Sequence, residues 1–157
     1  MSNLEVEMSD ELTIPPVRKS VEVGCNPREA FRLFTEEIDS WWPLATHSIG
    51  EADAESCFFE GREEGRIYEI HGDGSVHLWG TVTAWCPPER VAFSWHPGRE
   101  VSTAQEVELR FRQVPGGTIV ELEHRGWEAL GERALQTRQG YETGWETVLQ
   151  RYVARCA

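Results

Sequence analysis

Residues 129–156 read A-L-G-E-R-A-L-Q-T-R-Q-G-Y-E-T-G-W-E-T-V-L-Q-R-Y-V-A-R-C. They predict one helix over 129–155, roughly 25 residues long. Leu135, Tyr141, Trp145, Val148, Leu149, Tyr152 and Cys156 recur at helical spacing and form a single apolar stripe. Gly140 and Gly144 interrupt it, each costing about 1 kcal/mol relative to Ala in a helix interior. Close approach to a neighbouring surface is the expected reason for that cost. A helix of this kind must bury its stripe against something, and the chain upstream supplies the surface.

Between residues 55 and 124 the pattern is a meander of strands, expected at 56–60, 66–71, 75–85, 90–96, 103–113 and 118–124. Gly61 with Glu63-Glu64-Gly65, Gly72-Asp73-Gly74, Pro87-Pro88, Pro97-Gly98 and Pro115-Gly116-Gly117 are the turns. Connections this short imply antiparallel hairpins. Val107, Leu109 and Phe111 alternate with Glu106, Glu108, Arg110 and Arg112, so one sheet face is wet and the other covered. Residues 75–85 alternate less cleanly, with apolar groups on both faces, as if one face packs and the other meets a mixed cavity or another chain. Ahead of the meander, Val17, Lys19, Val21 and Val23 alternate with Arg18, Ser20 and Glu22, giving a further strand. Asn26-Pro27 then starts a helix over 27–35, with Asn26 as cap and Glu29 placed to close a capping box. A short turn over 36–41 brings Ile38, Trp41 and Trp42 together before Pro43 ends it. The expected fold is α+β: a curved antiparallel sheet of six or seven strands around one long C-terminal helix, with two short helices. Residues 1–13 are expected to be a polar tail, and 14–157 one domain.

In this order the residues resemble the SRPBCC (START/Bet v 1-like) superfamily, and within it the group named after the activator of Hsp90 ATPase. The features are the entry from Val21 to Phe34 (V-x-V-x-x-N-P-x-x-A-F-x-L-F), and Trp41-Trp42-Pro43 followed by His47. Asp73-Gly74, Gly80-Thr81-Val82 and Pro87 through Trp95 come next. Glu121 through His124 and Gly140-Tyr141-x-x-Gly144-Trp145-x-x-Val148-Leu149 complete the set. Together they span about 17–153. The resemblance implies a helix-grip fold and a cavity between the sheet and the long helix. Members bind lipids, hormones, polyketides or other apolar molecules, and a few are enzymes. The extra N-terminal Hsp90-binding domain of the eukaryotic activator has no counterpart in 157 residues, so a direct chaperone role is not the first expectation.

The formal net charge is −12 and no basic run occurs, which argues against nucleic acid and against docking on anionic lipid. No stretch approaches the roughly 20 apolar residues of a membrane span, and no signal core is visible, so a cytoplasmic protein is expected. Cys25, Cys57, Cys86 and Cys156 show no C-x-x-C pairing and are read as reduced, mostly buried small residues. No nucleophile elbow, phosphate-cradling loop or zinc spacing is present, so no metal and no cofactor are expected.

The expected partner is a small hydrophobic molecule, bound by a monomer or homodimer. Trp42, His47, Tyr68, Trp79, Phe93, Trp95, His124, Tyr141 and Trp145 are the candidate ligand-binding residues. Core packing is the competing reading for Trp95 and Trp145, local hydrogen bonding for His47, and a satisfied core histidine for His124. Arg66 with Tyr68 is placed to anchor a carboxylate, against a plain surface ion pair. An aromatase/cyclase-like or hydrolytic enzyme would use the same cavity, with His47 and His124 as the weak catalytic candidates. A stress-related or chaperone-interacting protein is the third possibility.

Overall fold

The computed structural model describes residues 14–157, so the expected tail lies outside the described residues. Strand β1 (Val17–Val23) leads to helix α1 (Pro27–Phe34), 3-10 turns Ile38–Ser40 and Glu51–Asp53, and strands β2 (Ala54–Phe59) and β3 (Arg66–His71). Strands β4 (Val76–Cys86) and β5 (Arg90–Trp95), a 3-10 turn Val101–Thr103, and strands β6 (Gln105–Val114) and β7 (Gly117–Arg125) follow. A 3-10 segment Trp127–Arg133 then enters helix α2 (Ala134–Arg155). The seven strands form one antiparallel sheet in the order β1-β7-β6-β5-β4-β3-β2. The meander thus runs in sequence, and β1 returns to pair with the last strand. The sheet curls and α2 lies along it, which is the helix-grip arrangement.

Local chemistry explains the framework. The Asn26 side chain accepts from the Glu29 backbone N–H at 2.9 Å and caps α1. The reciprocal half of the expected capping box does not form, because the Glu29 carboxylate pairs with Arg32 one turn on. On β6, Val107, Leu109 and Phe111 are buried beneath the helices while Arg110 and Arg112 are exposed. Glu108, on that outer face, is nevertheless covered by Arg90, Arg110 and Arg125. Burial pushes the Glu108 carboxyl pKa up, but hydrogen bonds from Arg90 and Arg125 outweigh it, leaving it below its ordinary value.

The irregular alternation of β4 has a backbone cause. Its pairing slips between Ile67 and Tyr68 on β3 and between Val82 and Ala84 toward β5. Trp79 and Val82, of opposite parity, are therefore both buried on the inner face. Gly80 sits between them, where a Cβ would lie 1.7 Å from the Ser94 carbonyl oxygen, so only glycine allows this approach.

Several expectations are corrected. The first turns of the predicted terminal helix are 3-10, and Gly131 (φ 61°, ψ −127°) breaks them from α2. Leu135 is 69 % exposed, because it lies about 120° around the helix from Tyr141. Ala134, seven residues before Tyr141, takes the inward place. Gly140 has open space where its Cβ would stand, and Gly144 has only the His47 ring at 3.9 Å, so these glycines do not serve close helix packing. Cys86 is exposed; Cys57 and Cys156 are buried and Cys25 half-buried, all as free thiols. No helix among the described residues is long and apolar enough to cross a membrane.

Candidate functional site

The last turns of α2 are anchored on the core. Val148, Leu149 and Tyr152 are buried there, and the Tyr152 hydroxyl donates to the Ala30 carbonyl at 2.6 Å. The stretch of the helix from Thr137 to Val148 stands over a pocket of about 810 Å³, partly open to solvent. Thr137, Gly140, Tyr141, Gly144, Trp145 and Val148 face it from the helix, at spacings of three and four residues. Trp79 on β4 and Trp95 on β5 form the sheet side. Trp42, His47, Ser48 and Ile49 close another wall, and Pro97, Gly98, Arg99 and Arg133 border the mouth. The volume falls within the usual range for small-molecule sites, roughly 300–1,000 Å³.

Four indoles make most of the wall. Trp42 lies 5.0 Å from Trp79, 6.1 Å from Trp95 and 6.0 Å from Trp145, ring centre to ring centre. Each indole N–H is already bonded to the protein. Trp42 donates to the His47 carbonyl at 2.7 Å, Trp79 to Glu69 Oε1 at 2.5 Å, Trp95 to the Tyr141 hydroxyl at 2.9 Å and Trp145 to His124 Nδ1 at 3.0 Å. The tryptophans therefore offer apolar faces and no hydrogen bonds. Polar chemistry has to come from other groups. The Tyr141 oxygen accepts from Trp95, which leaves its O–H free to donate. Burial raises the Tyr141 pKa against the opposing Trp95 hydrogen bond and the Arg99 charge, so the phenol stays neutral. His47 Nδ1 pairs with Thr46 Oγ1 at 2.7 Å, and its Nε2 has no protein partner among the described residues.

Of the nine candidates, the structure brings Trp42, His47, Trp79, Trp95, Tyr141 and Trp145 together around this pocket. The other three stand elsewhere. Phe93 is buried against Phe59 and Trp95, outside the lining. Tyr68 stacks on Phe58 at 5.4 Å, with the Arg66 guanidinium 4.9 Å from its ring, while Arg66 itself pairs with Glu60. His124 is fully buried behind Trp145 and Tyr141. Its Nδ1 accepts from Trp145, its Nε2 faces Gln105 Oε1 at 3.2 Å, and burial pushes its pKa down to about 3. It is a neutral imidazole with both nitrogens engaged.

Sequence reasoning passed over Glu69. This carboxylate is fully buried and accepts from the Ile49 N–H at 2.7 Å, the Gly50 N–H at 2.9 Å and Trp79 Nε1, with His71 Nε2 at 2.7 Å. Burial raises its pKa, but these four hydrogen bonds together hold it below the ordinary carboxylate value. It pins the pocket's 48–50 wall to β3 and β4. The signal was present, since Glu69 shares parity with buried Ile67. Arg133 and Thr137 were also overlooked, although they extend the Tyr141 stripe backward in steps of four. No group of three or more potential metal ligands occurs among the described residues.

The solved anthrahydroquino-γ-pyrone synthase Txn09 is 33 % identical over 80 % of this chain and 85 % of its own, with a TM-score of 0.57. The Aha1 dimer from Colwellia psychrerythraea is 15 % identical with a TM-score of 0.66, covering 91 % of this chain and 96 % of that one. A protein from Nitrosomonas europaea, also 15 % identical, matches with a TM-score of 0.66 over 89 % of this chain and 92 % of its own. These last two likenesses are of fold alone. No curated protein sequence matches the chain. The profile of the family described as "activator of Hsp90 ATPase homolog 1-like protein" matches residues 25–155, and the chain belongs to that family.

Proposed function

We propose that this domain binds a flat, largely apolar small molecule between the inner sheet face and the 137–148 stretch of α2. The observation that carries the reading is the ring of Trp42, Trp79, Trp95 and Trp145, whose N–H groups are all consumed by the protein around an unfilled space. Two helical glycines keep that space open, at a cost of about 1 kcal/mol each. Burying one aromatic ligand of about 200 Å² is worth about 5 kcal/mol gross. Association costs reduce this, so the polar groups at the mouth decide affinity and orientation.

Native mass spectrometry and thermal-shift measurements against flat aromatic and fatty-chain compounds test the proposal. A retained aromatic ligand and a raised Tm are expected for the flat class. No retained mass and no shift from any compound would sink it.

An enzymatic reading of the same pocket is favoured by one finding, the 33 % identity to a synthase whose name specifies a polycyclic aromatic product. Here His47, with its unpartnered Nε2, and the Tyr141 hydroxyl are the groups able to move or hold a proton. On this reading His47→Ala retains ligand binding and abolishes turnover. On the binding-only reading no turnover exists to lose.

A further inference from the structure

Resting on the pocket reading above, we propose that the ligand is anionic: an aromatic carboxylate whose ring lies among the indoles and whose charge meets Arg99 and Arg133. The chain carries 27 acidic residues against 15 basic ones, yet no Asp or Glu lines this pocket. Most arginines are tied to carboxylates, as Arg90 and Arg125 are to Glu108. Among the described residues only Arg28, Arg99, Arg133 and Arg151 have no carboxylate within 4 Å; Arg99 and Arg133 border this pocket, whereas Arg28 borders a smaller one that it shares with Glu36. One comes from the loop after β5, the other from the segment entering α2. Arg138, about a turn and a half beyond Arg133, is by contrast held by the Pro15 and Pro16 carbonyls.

The chemistry of this pair suits a carboxylate. A guanidinium stays charged at any physiological pH and presents a planar fork that matches two carboxylate oxygens. The Tyr141 O–H adds a neutral donor deeper in, close enough to Arg99 for that charge to act on it. The net charge of −12 repels an anion at long range. At physiological salt that field is screened beyond about 8 Å, so the local cations decide once the ligand reaches the mouth.

Calorimetric titration of the full chain with 2-naphthoate and its neutral isostere 2-naphthamide tests the inference. The wild type should bind the carboxylate about tenfold more tightly. High salt should weaken only the naphthoate. Arg99→Gln and Arg133→Gln should each reduce the preference, and the double variant should abolish it. Both side chains are exposed and unpaired, so the variants are expected to melt with the wild type. Equal affinities for the two probes overturn the inference and leave the pocket reading standing, as does a preference that survives the double substitution. Binding of neutral aromatic compounds with no binding of naphthoate does the same. Failure of every aromatic compound overturns both.

Discussion

The indole N–H of Trp145 on α2 donates to Nδ1 of His124 on β7 at 3.0 Å, tying the long helix to a sheet strand through a buried neutral ring. With Nδ1 accepting, the proton resides on Nε2, facing Gln105 Oε1. Folding therefore excludes a proton that the unfolded chain binds below pH 6.5, since burial holds the native pKa near 3. The contribution to stability is complete above pH 6.5 and is lost as pH falls from there toward 3. The slope is about 1.4 kcal/mol per pH unit for one proton. Glu69 and Glu108, whose native values lie below the usual 4.5, add their own loss only under that pH. Urea midpoints between pH 7.5 and 4.5 should fall in the wild type and flatten in His124→Gln. A level wild-type profile would contradict the assignment.

Glu69→Gln should destabilise the protein by about 3 kcal/mol, because an amide places its own N–H donors among the donors of Ile49, Gly50 and Trp79. The 48–50 wall should loosen with it. Hydrogen exchange at Ile49 and Gly50, alongside urea denaturation, measures both effects.

Gly140→Ala and Gly144→Ala should each stabilise the helix by about 1 kcal/mol, since neither new methyl meets a clash. Gly144→Leu should push a side chain into the pocket toward His47 and weaken ligand binding without unfolding the chain. Melting temperatures and calorimetric titration on the same samples separate the two effects.

Tyr141→Phe strands the Trp95 N–H, so a loss of about 1–2 kcal/mol is expected. Replacing both Trp95 and Tyr141 by Phe should cost less than the sum of the single changes, because the double variant leaves no orphaned donor. A denaturation double-mutant cycle supplies the coupling energy.

The strand meander and the terminal helix were legible because alternation and helical spacing report directly which side of an element is covered. Val107, Leu109 and Phe111 needed nothing more. Trp79 and Val82 did, since the pairing slip that turns both inward lies in the backbone around Gly80 and leaves no period in the sequence. The helical glycines stand out in the sequence by their energetic cost, but that cost predicts a tight contact where the structure has open space. A vacancy and a tight contact ask for the same residue, and only the position of His47 opposite Gly144 tells them apart. Glu69 escaped because a single buried charge reads as a surface residue until the loop amides that neutralise it are in place.

Trp42, Trp79, Trp95 and Trp145 stand within about 6 Å of their nearest neighbours in the set, ring centre to ring centre. Light absorbed by any one of them can pass to the rest. A single occupant that accepts this energy would darken the whole group at once, so the protein carries an intrinsic optical reporter of occupancy.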